Sequence, residues 1–235
     1  MTQNNQPIGI IGSMDAEIEE YMKEAMDCRT THWNDFLFNE VKLFGKNAVI
    51  VKSGVGKVFA AMVCERLIDE YAPKVIIFTG VAGALNKELE IGDVVISKDC
   101  IQHDIDVQAL GFSRGTIPYT EYRVFTADER LRKLALSAKF EHNKIIEGRI
   151  LTGDQFLTKK ETADHKYLTE ELKGDAIEME GGAIAQVCTL NKVPFLIVRT
   201  VSDKADGAAV EDFNRFLPVV AKNSFNIVKT ILQHL

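Results

Sequence analysis

Pro73-Lys-Val-Ile-Ile-Phe-Thr-Gly80 holds four consecutive large apolar residues, Val75 to Phe78, between a proline and a Thr-Gly pair. A short apolar run without polar alternation predicts a strand covered on both faces, which places helices on each side of its sheet. Ile8-Gly-Ile-Ile-Gly12, Val94-Val-Ile-Ser97 and Phe195–Val201 read the same way, with further strands at Ile145–Leu151 and Ala176–Glu178. Helical patterns fall between them. One begins after Ser53-Gly-Val-Gly-Lys57 and runs to about Tyr71, where Pro73 blocks continuation; others cover Asp128–His142, Lys159–Leu172, Gly181–Leu190 and Phe213–Leu235. Ser13 is placed to cap the first helix, whose Asp15, Glu17, Glu19 and Glu20 suit a positive helix end. Residues 33–44 and 47–52 alternate as a hairpin about Gly45-Lys46-Asn47, which makes the sheet mixed. No linker, repeat or low-complexity stretch intervenes. The pattern predicts one α/β domain over residues 1–235, a three-layer αβα sandwich around a mixed, largely parallel twisted sheet. Residues 103–125 read as a long irregular excursion, and such loops serve function or meet a partner.

Charge and composition narrow the function. A net charge of -6 with no basic stripe argues against nucleic acid, which demands a concentrated positive surface. No apolar run reaches the length of a membrane span, and the first residues lack the pattern of a signal peptide. Cys28, Cys64, Cys100 and Cys188 are scattered and form no Cys-x-x-Cys pair. Cys64 and Cys188 sit in apolar helical patterns as buried free thiols. These features suit a reduced, cytoplasmic protein. His103-Asp-Ile-Asp106 has no second histidine at ligand spacing, so no metal is expected.

Charged groups at the ends of the apolar runs point to a cleft where charge is used. Asp175-Ala-Ile-Glu-Met-Glu180-Gly-Gly and Val198-Arg-Thr-Val-Ser-Asp203 put acids and an arginine beside buried strands. Unpaired burial of such groups is costly. Of Glu178 and Glu180, one fits a helix-start anion and the other, Glu180, the site. Arg199 reads equally as a structural ion pair, Asp203 as a helix cap and Glu17 as a solvated dipole partner. Neither Gly9-Ile-Ile-Gly12 nor Ser53-Gly-Val-Gly-Lys57 has the spacing of a nucleotide phosphate loop. Their glycines, with Thr79-Gly-Val-Ala-Gly83, let backbone approach a ligand at strand ends.

Seven segments then fall in a telling order: Gly9-Ile-Ile-Gly-Ser-Met-Asp-Ala-Glu17, Lys52-Ser-Gly-Val-Gly-Lys57, Thr79-Gly-Val-Ala-Gly83, Gln102-His-Asp-Ile-Asp106, Thr152-Gly-Asp-Gln-Phe156, Glu178-Met-Glu180 and Arg199-Thr-Val-Ser-Asp203. Together they resemble the bacterial 5′-methylthioadenosine/S-adenosylhomocysteine nucleosidases, of the purine nucleoside phosphorylase superfamily, over nearly the full chain. The resemblance implies a nucleoside phosphorylase-like fold and hydrolysis of an adenine nucleoside to adenine and a 5-thioribose, without a cofactor. It implies Glu17 as the general base on water and Asp203 as the general acid on the purine, oriented by Ser202. Glu180 with Met179 would hold the ribose hydroxyls and steady positive charge on the sugar, and Arg199 would support the ribose end or the aspartate. Val81, Ala82 and Gly83 would line the nucleoside site, Phe156 would stack on adenine, and the Leu157 backbone would read its edge. Met14, Val55 and Phe213 would surround the 5′ substituent. A second subunit of a homodimer would complete that pocket with Val107, Leu110 and Pro118.

Two departures bear on specificity. Leu110 stands where some relatives have an aromatic residue, and Val81 replaces a serine. Use of 5′-deoxyadenosine or aminofutalosine stays open. So do two other readings: a phosphate-dependent purine nucleoside phosphorylase, and a nucleoside-binding protein without turnover.

Overall fold

The strand grown from the Val75–Phe78 run, β5 (Val75–Ala84), is buried along all ten residues and organises the sheet. A computed structural model of the chain describes residues 6–140, 142–157, 164–204 and 209–235. Along one edge, β1 (Ile8–Gly12) pairs in parallel with Val75–Phe78. Further along that edge, β9 (Ala176–Glu178) pairs antiparallel with Gly83 and Ala84. The other edge carries β10 (Phe195–Asp203), parallel from Ile76 to Gly83. Between the end of β1 and the start of β9, Thr79–Ala82 has no strand on one side. Backbone there is free to serve a side chain instead.

β1 continues outward to β4 (Lys46–Lys52), then antiparallel to β3 (Phe36–Leu43) and β2 (Met26–Trp33). On the far side, β10 pairs antiparallel with β6 (Val94–Gln102), which pairs in parallel with β8 (Ile145–Thr152). β8 in turn pairs with β9, so β5, β10, β6, β8 and β9 close on themselves. A two-residue strand, β7 (Phe125–Thr126), hangs from β6.

Two helix layers cover this mixed sheet. α1 (Asp15–Glu24) and α3 (Glu129–Leu136) pack on α6 (Ala209–His234), which lies along β5 and β10. On the other face, α2 (Lys57–Tyr71) packs on α5 (Gly181–Asn191), which lies over β6, β8 and β10. Cys64 of α2 and Cys188 of α5 are buried free thiols in contact there, their sulfurs 3.7 Å apart.

Several local expectations shift. The hairpin turn is Phe44-Gly45, both at positive φ, because Leu43 already pairs with Lys46. Met14, not Ser13, holds the N-cap position of α1, and the Ser13 hydroxyl turns to Glu17. The helix expected over Asp128–His142 ends at Leu136, with Asp128 capping it through Leu131 N at 2.9 Å. Of the helix expected over Lys159–Leu172, residues 158–163 lie outside the described residues; one turn, α4 (Tyr167–Glu170), follows. The 103–125 excursion holds one 3₁₀ turn, Gln108–Leu110, before β7.

Candidate active site

The carboxyl ends of β1, β5 and β10 lie side by side, where open α/β sheets hold their ligands. A cleft of about 520 Å³, counting the space it shares with solvent, opens there and is largely apolar in its lining. Its size suits a small organic ligand. Met14, Glu17, Val55, Val81, Ala82, Gly83, Phe156, Met179, Glu180, Ser202, Asp203 and Phe213 all line it, as do Ser13, Ile177 and Glu178.

Glu17 is 3% exposed, not a solvated surface acid. Standing at the third position of α1, it folds back on the helix start. Its Oε2 accepts from Ser13 N (2.6 Å), Ser13 Oγ (2.7 Å) and Met14 N (3.0 Å). Its Oε1 accepts from Val81 N at 3.0 Å, the amide that the gap in sheet pairing frees on β5. Both oxygens are thereby fixed toward the cleft floor.

Arg199 is fully buried, with its guanidinium carbon 3.9 Å from the Phe78 ring centre. Its Nη2 lies 2.5 Å from Glu178 Oε2 and 3.5 Å from Glu180 Oε2, and its Nη1 lies 4.0 Å from Glu17 Oε1. Burial pulls its pKa down, but the charges of Glu178, Glu17 and Glu180 outweigh that and hold the cation more firmly than in water. Arg199 therefore lies beneath the cleft rather than on its wall. Its contacts are with those three carboxylates and with the Phe78 ring.

Glu178 ends β9 and, like Glu17, has four donors. It accepts from Glu180 N (3.0 Å), Gly181 N (2.6 Å) and the Thr152 hydroxyl, besides Arg199. Thr152 is itself oriented by Gly182 N at 2.7 Å. Glu180 accepts from Gly56 N at 2.8 Å, at the start of α2. Burial, reinforced by the charge of Glu178, pushes its carboxyl up to about 8 against the pull of Arg199 and Gly56.

Asp203 is 2% exposed and lies with its Oδ2 2.9 Å from Ser202 Oγ. Neighbours on a regular strand face opposite ways, yet both line the cleft. The register shift between Val201 and Asp203 resolves this, since a bulge re-aims successive side chains. Phe156 packs edge-on against Phe213, ring centres 5.8 Å apart, at the cleft mouth. Its loop is tied down by Asp154, which accepts from Lys57 N (2.9 Å) and donates its own amide to Asp104 (3.1 Å). Leu157 is buried in a smaller adjoining recess.

The His103–Asp106 segment has other work. Burial lowers the His103 pKa to about 4, so the ring is neutral, with Nδ1 3.2 Å from Tyr167 Oη. Asp104 pairs with Lys57 (2.7 Å) and Asp106 with Arg114 (2.8 Å). Val107, Leu110 and Pro118 do not line the cleft, and Leu110 is 62% exposed.

The chain is similar to known proteins over nearly its whole length. The profile of the phosphorylase superfamily matches residues 7–233. The 5′-methylthioadenosine/S-adenosylhomocysteine nucleosidase of Psychromonas ingrahamii is 39% identical over 97% of this chain and 99% of its own. The chain belongs to this nucleosidase family. The Neisseria meningitidis family member, solved with methylthio-immucillin-A, superposes with a TM-score of 0.92 at 36% identity, covering 98% of this chain and 100% of that one. Futalosine hydrolase of Helicobacter pylori superposes equally well, TM-score 0.92 at 32% identity, over 98% and 99% of the two chains.

Three supporting residues of this family member have parts that the sequence does not signal. Thr152 lies in a Thr-Gly-Asp-Gln-Phe segment that does not mark it as the partner of Glu178. Ser13 reads as a helix cap, and Gly80 as one glycine among several. A β-bulge, a gap in pairing and a contact between distant strands have no local sequence signal.

Proposed function

We propose that this chain hydrolyses the N-glycosidic bond of 5′-methylthioadenosine and S-adenosylhomocysteine, releasing adenine and the corresponding 5-thioribose. The carrying observation is that Glu17 and Asp203, 186 positions apart (203 − 17) in the chain, line one apolar cleft that also holds Glu180. Adenine leaves poorly as an anion, so Asp203, steadied by Ser202, gives a proton to the purine as the bond to the anomeric carbon breaks. The sugar carbon becomes cationic, and the acidic floor stabilises it. Glu17 takes a proton from water as the water oxygen bonds to that carbon from the opposite side. Glu180, with Met179, holds the ribose hydroxyls, and Phe156 stacks on the base. Met14, Val55 and Phe213 surround the thioether. Protein groups and water suffice for this chemistry, without a cofactor.

The lining also favours water over phosphate. Four acidic residues face the cleft and, among the described residues, no lysine or arginine does; Arg199 is committed to carboxylates beneath it. A phosphate dianion entering beside Glu17 would meet like charge. The strands that position the site all belong to one continuous sheet, which supports a single catalytic unit over residues 1–235. The same reading has a second subunit in a homodimer close the 5′ end with Val107, Leu110 and Pro118. Half-exposed Val55 and the exposed Val58, Phe59, Leu110 and Tyr119 support it. No described helix is long and apolar enough to cross a membrane. That fits the proposed cytoplasmic setting.

The test is adenine release from methylthioadenosine in phosphate-free buffer, followed by chromatography with identification of the sugar. Free 5-methylthioribose at a rate indifferent to added phosphate is expected. Strict dependence on phosphate would make the chain a phosphorylase, and no adenine from any adenosine thioether would make it a binder. Parallel rates with 5′-deoxyadenosine and aminofutalosine define the substrate range.

A further inference from the structure

Beneath the cleft, Glu17, Glu178 and Glu180 surround a single cation, Arg199, and every one of the four is at least nine-tenths buried. Full ionisation would set three negative charges against one positive in a medium that screens poorly, with Asp203 facing the same cleft. One carboxyl in such a cluster keeps its proton. Hydrogen bonding decides which. Glu17 accepts from Ser13 N, Ser13 Oγ, Met14 N and Val81 N. Glu178 accepts from Thr152 Oγ1, Glu180 N, Gly181 N and Arg199 Nη2. Each of the two has four donors. Glu180 has the Gly56 amide at 2.8 Å and only a long contact, 3.5 Å, to the shared guanidinium.

We propose that Glu178 is a positioning residue which, by taking Arg199 and the local amides for itself, leaves Glu180 as the carboxyl that holds the proton in the free site. Glu180 then meets a ribose hydroxyl as a hydrogen-bond donor, a consequence that rests on the function proposed above; the location of the proton does not. The upward push on Glu180 to about 8, caused by burial and then by Glu178, agrees with the same placement. The groups facing Glu180 are Glu178 from β9, Arg199 from β10, Glu17 from α1 and the Gly56 amide ahead of α2. Thr152 belongs to the arrangement as the hydroxyl that fixes Glu178 against the start of α5.

Carboxyl ¹³C NMR of the full chain, with labelled glutamate, reads this directly between about pH 5 and pH 9. One glutamate is expected to titrate near the upper end of that range, and Glu180→Gln is expected to abolish that signal. Glu178→Gln removes the neighbouring charge and is expected to lower the midpoint by about one unit or more, roughly a tenfold loss of proton affinity. A merely structural role for Glu178 would not move it. Should Glu178→Gln fail to fold, Thr152→Val serves: it weakens the hold on Glu178 and is expected to bring a second glutamate into the same titration. A Glu180 carboxyl already ionised at about pH 6 overturns the proposal. So does a midpoint unmoved by Glu178→Gln or, where Thr152→Val stands in, a titration still confined to one glutamate. Because no substrate is involved, failure here is separable from failure of the nucleosidase reading.

Discussion

A Cβ on Gly80 would stand 2.1 Å from Arg199 Nη1 and 2.3 Å from Glu17 Oε1. The two charged groups meet only because β5 carries no side chain at that point. Both are buried and pinned by other bonds, so neither has space to retreat. Gly80→Ala is expected to displace Glu17 and lower kcat by roughly a hundredfold, as ångström-scale misplacement of a reacting group does. The accompanying loss of stability is about 1–3 kcal/mol, typical of overpacking. Turnover of methylthioadenosine beside a thermal melt checks both. A variant with unchanged kcat would show that the contact between Glu17 and Arg199 is dispensable.

Glu17→Gln and Asp203→Asn each keep the shape of the side chain while removing its ability to move a proton. Each is expected to lower kcat by roughly 10²–10⁴-fold, the usual contribution of a general acid or base. Folding should persist. Adenine affinity, read by calorimetry, separates lost chemistry from a lost site. Near-normal turnover in either purified variant removes that residue from the role assigned to it.

Arg199→Met retains bulk and apolar contact with Phe78 but deletes the cation that Glu178, Glu180 and Glu17 share. Breaking a buried ion pair from one side costs about 3–5 kcal/mol, because the remaining charge is left uncompensated. Denaturant unfolding at neutral pH measures it. Acidification should restore part of the difference, since protonated carboxyls no longer need the guanidinium. Equal losses at both pH values would mean packing, not charge, is what Arg199 supplies.

How much of this was legible depends on where each signal lies. The runs at Ile8–Gly12, Val75–Phe78 and Phe195–Val198 mark strands buried on both faces, and these position Glu17, Val81 and Asp203. β2 has no such signal because Met26-Asp-Cys-Arg-Thr-Thr-His-Trp33 is a largely exposed edge strand, mostly polar between its ends and held by register with β3 alone. Likewise Glu178 and Glu180 are two residues apart, and although the sequence favours Glu180 for the site, it does not separate their partners. What separates them is donors from Thr152, Gly56 and Arg199, all distant in sequence. Arg199 and Asp203 differ by four positions, yet one is sealed under the sheet end and the other lines the cleft, a distinction made by the bulge after Val201. Identity of the site residues is thus written locally, whereas their charge state is set by contacts across the fold.

The protonated state of Glu180 has a consequence for stability against pH. Its folded carboxyl titrates at about 8, above the ordinary value of 4.5 that it regains on unfolding. Below the lower value both states hold the proton and the group contributes nothing. Between the two, the unfolded chain ionises while the folded one does not, so the unfolded state binds fewer protons and stability falls as pH rises. The slope from this one group is at most about 1.4 kcal/mol per pH unit, and it ends once the folded carboxyl also ionises. Glu180→Gln cannot ionise in either state. It is expected to flatten this part of the profile and to melt higher than the parent chain at about pH 8, though not at about pH 4.5. Melting temperatures of the two proteins across that range provide the comparison. Parallel curves would show that Glu180 is ionised in the folded chain throughout.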